Sequence, residues 1–146
     1  MNTNHELRKP RDSDEWLAYH GIRRKVLFES RRESSVYIEN HPDEFKSGHH
    51  PLVMSHNGVI IGVIRVDVKG CVAWFRRVAI REDIQRSGHG RVLLRLAETF
   101  AQEEGCNEAR SNVALDAVGF YERCGYARDP SALAELGSVS MRKPLL

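Results

Sequence analysis

Cysteine is scarce in this chain: three in 146 residues, at positions 71, 106 and 124, with no CxxC pair. That excludes a disulfide scaffold and the thiolate zinc sites. Long hydrophobic runs are missing as well. The longest uncharged apolar stretch runs from Gly58 to Ile64, far short of the ~20 residues that a membrane helix needs. The opening segment MNTNHELRKPRDSDEW holds no apolar core of the kind a secretory leader requires. The expectation is a cytoplasmic protein with no membrane partner. Excess charge of one sign is absent, with 22 Lys+Arg against 20 Asp+Glu and a net charge of +2. The basic pairs Arg23-Arg24, Arg31-Arg32 and Arg76-Arg77 are balanced by acids and lack interleaved aromatics, so no nucleic-acid partner is expected. GxxxxGK[ST], GxGxxG and HExxH are all missing, which removes the Walker loop, the dinucleotide fingerprint and the helical zinc-protease site. There are seven histidines, but the adjacent His49-His50 would point to opposite faces of a strand. No metal is expected.

What is present fits one domain over residues 1–146, long enough to bury about two thirds of its unfolded surface. Glu6 to Lys9 reads as a short strand ended by Pro10. Asp12 or Ser13 can cap a helix that carries Trp16, Leu17, His20, Val26, Leu27 and Phe28, with a weak point at Gly21. Pro42 can open a short helix. Pro51–Met54, the run from Val59 to Val68, and Cys71–Ile80 read as a three-strand meander. Asn57-Gly58 and Lys69-Gly70 form its turns. Ile64, Val66 and Val68 alternate with Arg65 and Asp67, which predicts a half-buried strand. The period then changes. Residues 90–105 place Leu93, Leu96, Ala97 and Phe100 on one helical face, and Gly105 stands where such a helix ends. A weak strand over 108–114 follows. A short helix capped by Asp116 is next, with Ala117, Phe120, Tyr121 and Cys124 on one face. Strands over 132–136 and 139–145 close the chain. The order β-α-(α)-βββ-α-β-α-ββ is mixed α/β or α+β, not a regular βαβ array.

The stretch richest in chemistry is RVAIREDIQRSGHGR, Arg77 to Arg91. A β-rich run ends at Ile80, and QRSGHG leads directly into the amphipathic helix. Gly88 and Gly90 allow tight backbone, and a helix start offers unpaired N–H groups with partial positive charge. Together they describe a phosphate or pyrophosphate cradle at a strand-to-helix junction, to which Arg86 and Arg91 can add ionic contacts.

Gln85-Arg86-Ser87-Gly88-His89-Gly90 resembles the Q/R-x-x-G-x-G/A signature of the GCN5-related N-acetyltransferases. Ala117-Val118-Gly119-Phe120-Tyr121-Glu122-Arg123-Cys124-Gly125-Tyr126 resembles the A-x-x-F-Y-x-x-x-G-[FY] helix of the same family. Two motifs in order and at matching distance are far more specific than either alone. The resemblance is close from Arg77 to Tyr126 and looser elsewhere. His89 stands where an apolar residue is common, and Ala114 where many members carry Asn.

The resemblance implies a mixed, mostly antiparallel central sheet flanked by helices. It also implies transfer of an acetyl group from acetyl-CoA to an amine, by direct attack in a ternary complex. Val78, Ala79 and Ile80 would border the pantetheine arm. Gln85, Arg86, Ser87, Gly88, His89, Gly90 and Arg91 would hold the pyrophosphate, and Asn112 would lie near the pantetheine or the acceptor. Tyr121 would donate a proton to the leaving thiolate. A small-molecule acceptor is favoured over a protein, and a homodimer stays open. The alternative is a noncatalytic acyl-CoA-binding sensor of the same fold. Glu29, Glu33, His41, His49 and His50 are candidates for the base, and none matches a family motif.

Overall fold

A computed structural model of the chain describes residues 4–29, 42–132 and 137–146. Its strands are β1 (His5–Arg8), β2 (His49–His56), β3 (Val59–Lys69), β4 (Val72–Ile80), β5 (Glu108–Ala114), β6 (Ala127–Arg128) and β7 (Ser138–Pro144). Its helices are α1 (Ser13–Arg23), α2 (His89–Glu103) and α3 (Val118–Arg123). One seven-stranded sheet holds the order β1-β2-β3-β4-β5-β7-β6. Every pair is antiparallel except β4 with β5, which is parallel.

Most local signals act as the sequence predicts. The Asp12 side chain accepts a hydrogen bond from the Glu15 N–H at 2.9 Å and starts α1. Gly21 does not break the helix; α1 runs through it and continues as a π-helical turn from Arg24 to Glu29. Asn57 and Gly58 take φ of 52° and 84°, the left-handed pair that joins two strands with the right twist. Three expectations are corrected. Asp116 sits inside a 3-10 turn, Leu115–Ala117, and the residue before α3 is Ala117. The last strand's outer neighbour is Ala127–Arg128 rather than a 132–136 strand. Ala132 belongs to no strand, and the rest of that stretch lies outside the described residues. Finally, β3 is not half-buried. Asp67 is 8% exposed, because α1 and the 3-10 turn Pro42–Phe45 cover the face on which Arg65 and Asp67 lie.

The sheet therefore has a packed layer on each side. On one, Leu93, Leu94, Ala97 and Ala101 of α2 join Leu52, Ile64, Val66, Phe75 and Met141. Burying a leucine such as Leu93 stabilises the fold by about 1.5–3 kcal/mol. On the other, Tyr19 and Ile22 of α1 pack on Val53, Val63 and Ala79. Arg8 clasps Glu15 through two hydrogen bonds, at 3.1 and 2.7 Å, and ties β1 to α1.

Glu98 of α2 makes the corresponding tie at the far end. It accepts from the Tyr126 hydroxyl at 2.8 Å and from the Lys143 ammonium at 2.9 Å, while that ammonium also donates to the Cys124 carbonyl. Two elements, α2 and β7, and the turn after α3 meet at this carboxylate. Tyr126→Phe is expected to lower the free energy of unfolding by about 1.5–3 kcal/mol, the usual cost of losing a hydrogen bond to a charged group. Urea denaturation measures it, and a loss below about 0.5 kcal/mol would remove the contact from the structural account.

Candidate active site

The site begins where two strands stop pairing. β4 and β5 are joined only at Val72–Trp74 against Glu108–Arg110. Beyond Trp74 they separate. At the same place β4 carries one residue more than β3: Ala79 stands opposite Val63, and Arg76 opposite Arg65. Arg77, at φ 56°, is in the bulge. The bulge reverses the alternation of side chains. Phe75 and Ile80, five residues apart, consequently reach the same core. The Arg81 N–H bonds to the Ile61 carbonyl, so residues 79 and 81 turn their backbone groups to β3. Val78 and Ile80, which alternate with them, turn theirs to the gap.

The gap is a cleft of about 690 Å³, walled by Phe75–Val78 on one side and Ser111–Ala114 on the other. Tyr121 and Ala117 line it from α3 and the turn before it, and Leu27, Asp43, His49, Arg65 and Asp67 line it from the β3 side, level with the point where β4 and β5 part. Ser111 is buried, and its hydroxyl donates to the Phe75 carbonyl at 3.0 Å. Tyr121 is 6% exposed. Burial pushes its phenol up to about 12, against a smaller opposing effect of a hydrogen bond with Ser111.

The predicted cradle lies outside the walls of this cleft but is tied to it. Arg86 and Gly88 both adopt left-handed backbone, with φ of 66° and 86°. Open space surrounds a Cβ built on Gly88, so glycine is needed there for its conformation and not for room. Gly88, the residue before α2, has no side chain with which to cap it, which leaves the first N–H groups of the helix available to an anion. Gly90 serves packing: a Cβ there would meet the Phe120 ring at 3.1 Å. Phe120 in turn sits edge-on to Tyr121. The Gln85 side chain donates to the Ile80 carbonyl at 2.9 Å and so braces the loop against β4. Arg86, Ser87 and Arg91 are exposed around the loop. The His89 ring turns away to meet His5 and His56. Asn112 is exposed at the cleft wall, and Ala79 is buried in the α1 layer.

This arrangement matches known proteins. The profile of the acetyltransferase (GNAT) family aligns with residues 13–126. The chain belongs to this family. It is an acetyl-CoA-dependent N-acetyltransferase. A Bacillus subtilis protein provisionally named an acetyltransferase is 29% identical over 108 residues, covering 72% of this chain and 71% of that protein. A glucosamine 6-phosphate N-acetyltransferase of Candida albicans is 27% identical over 106 residues, 67% of this chain and 71% of that one. The crystal structure of a provisionally named N-acetyltransferase from Lactobacillus plantarum superimposes with a TM-score of 0.79 at 25% identity, over 97% and 99% of the two chains.

Sequence reasoning missed much of the β3 side of this acetyltransferase's cleft. Glu44, 3% exposed, accepts from the Tyr19 hydroxyl at 2.9 Å and pairs with Arg23 and, at 4.0 Å, with Arg65. Arg65 grips Asp67 through two bonds, 2.7 and 2.8 Å, and Arg76 approaches the same carboxylate at 3.7 Å. His49 lines the cleft, with Nδ1 against the Asp43 carbonyl and Nε2 3.5 Å from Asp67. His50 faces the other layer, where it meets Glu104 and Phe100. Glu33 and His41 lie outside the described residues. These groups come from three distant segments, and no local pattern joins them.

The buried phenols set an alkaline limit on stability. As pH rises past about 10, Tyr121 ionises in the unfolded chain but not in the folded one, where its value is about 12. Tyr126 shifts in the same direction, through burial and the Glu98 charge. Stability present below pH 10 is therefore lost as pH climbs toward 12. Melting temperatures should fall across that interval, with a shallower slope in Tyr121→Phe. Equal slopes in the two proteins would show that Tyr121 does not contribute.

Proposed function

We propose that the chain transfers the acetyl group of acetyl-CoA to the primary amine of a small acceptor that also carries a carboxylate or phosphate. One observation carries this reading: a single cleft joins an open strand edge, a buried phenol and a rim of guanidinium groups. The backbone of Val78 and Ile80 suits a pantetheine arm lying along β4 as an added strand. The left-handed turn at residues 86–88 and the uncapped start of α2 suit a pyrophosphate. Gln85, Arg86, Ser87, His89, Gly90 and Arg91 contribute to that binding by backbone, charge or bracing of the loop, and Asn112 by its place on the facing wall.

The amine nitrogen attacks the thioester carbonyl carbon in a ternary complex. The Val78 N–H stabilises charge growing on the oxygen. The C–S bond then breaks and coenzyme A leaves as the thiolate, while the amine proton passes to a base. His49 suits that role. Its Nδ1–H donates to the Asp43 carbonyl, which leaves Nε2 to accept, and Asp67 stands 3.5 Å away to steady the imidazolium. Tyr121 supports the leaving sulfur. A phenol near 12 is a weaker acid than a thiol by roughly three powers of ten. Its best contribution is a hydrogen bond donated to the developing thiolate, with complete transfer waiting on a change of surroundings. Arg76 and Arg77 at the rim suit an anionic group on the acceptor. The Candida albicans relative, named for a phosphorylated amino sugar, supports that choice.

Two measurements test the reading. Calorimetric titration with acetyl-CoA should show saturable binding that Gly88→Glu abolishes, since the substitution places bulk and negative charge in the loop. Absence of binding by the native chain up to about 1 mM, weaker than about −4.1 kcal/mol, would sink the placement. Thiol release across a panel of amines should then favour amino acids and amino-sugar phosphates over polyamines. On the best acceptor, Tyr121→Phe should lower kcat by about 10²-fold with little change in acetyl-CoA affinity. His49→Gln should lower kcat/KM for the amine. A polyamine preference would overturn the acceptor class, and unchanged rates would remove those two residues from the chemistry.

A further inference from the structure

Three histidines that no motif connects meet at the edge of the sheet: His5 on β1, His56 at the end of β2 and His89 at the first position of α2. All three are partly buried. One ring nitrogen from each lies within 4.8 Å of the other two, and His5 Nε2 stands 2.9 Å from His89 Nδ1. The ring centroids of His89 are 5.1 Å from His5 and 5.0 Å from His56, with tilts of 53° and 54°. We propose that His5, His56 and His89 form a binding site for a divalent first-row transition ion such as Zn²⁺, with water as the fourth ligand.

The spacing carries the argument. Imidazole nitrogens bind Zn²⁺ at about 2.0–2.1 Å, and rings arranged tetrahedrally around it stand with centroids about 5 Å apart. Two of the three separations already have that value. The third, between the stacked rings of His5 and His56, is 4.1 Å, so binding fans those two rings apart by about 1 Å. The donor set suits the ion as well. Three neutral imidazoles are typical of an open zinc site, and imidazole also accepts Ni²⁺ and Cu²⁺. Each ring binds through one nitrogen and keeps its proton on the other. The contact between His5 Nε2 and His89 Nδ1 holds one proton, and the ion displaces it to the ring's second nitrogen.

The location gives the site a consequence. Among the described residues β1 is an edge strand, paired with β2 alone, and α2 begins at His89, the residue after Gly88. A bound ion would clamp the first turn of α2 to the two outermost strands. This proposal does not depend on the acceptor or on the placement of coenzyme A, and metal binding tests it directly.

The experiment is titration of the untagged full chain with ZnCl₂ in a calorimeter, with Co²⁺ absorption in the visible region as a second readout. Expected are one equivalent bound with Kd of about 10 μM or tighter and the intense bands of a tetrahedral Co²⁺ centre. His5→Gln, His56→Gln and His89→Gln should each weaken binding by about tenfold or more, with circular dichroism confirming their fold. His50→Gln should leave it unchanged. Absence of saturable binding in the native chain overturns the site, and so does binding that survives all three substitutions together. The cobalt spectrum keeps the test decisive even where a variant fails to fold.

Discussion

The parting of β4 and β5 after Trp74 is the constraint on which the site depends. A sheet that opens in its middle exposes backbone donors and acceptors that would otherwise pair, and buried backbone groups of that kind are costly when left alone. This protein closes both ends of the gap with side chains. Ser111 donates to the Phe75 carbonyl at one end, and Gln85 donates to the Ile80 carbonyl at the other. The backbone of Val78 lies between those two patches. The bulge at Arg77 makes the opening compatible with a continuous core, because it returns Ile80 to the side that Phe75 occupies. An opening terminated so specifically is a built feature of the sheet.

The second feature is electrostatic. Charges withdrawn from water must be paired where they lie, and the β3 side of the cleft is built from such pairs. Glu44 is shared by Tyr19 and Arg23, with Arg65 at its edge, and Asp67 is shared by Arg65 and Arg76. Two acids thus bind α1, the 3-10 turn after it, β3 and β4 into one wall. The polar face of β3 became interior by this means. Arg65 and Asp67 look like solvent-facing residues in the alternating pattern, and the turn at Pro42–Phe45 brings Glu44 over them instead.

Legibility followed the range of the interactions. The Asn57-Gly58 hairpin, the Asp12 cap and the apolar stripe of α2 were readable because each depends on neighbours within a few residues. The glycine loop and the Phe120-Tyr121 helix were readable as motifs for the same reason. The helix cap at Asp116 was misplaced because a 3-10 turn intervenes, and a side chain inside that turn no longer stands at the helix start. The role of Gly90 was only half legible. Its spacing marks the loop, but its contact with Phe120 depends on how α2 meets α3.

The amino-acid sequence by itself determined the order of elements, the meander, the position of the strand-to-helix loop and the phenol carried by α3. These rest on local preferences of backbone and on hydrophobic period, which act along the chain. Only the tertiary structure decided where the sheet opens, which face of β3 is buried, and which histidines meet. His5 and His89 are 84 residues apart, and nothing in the identity of one constrains the other until β1, β2 and α2 pack together. Long-range contacts of this kind are decided by the packing of whole elements, and it is there that the cleft's charged wall and the three-histidine cluster arise.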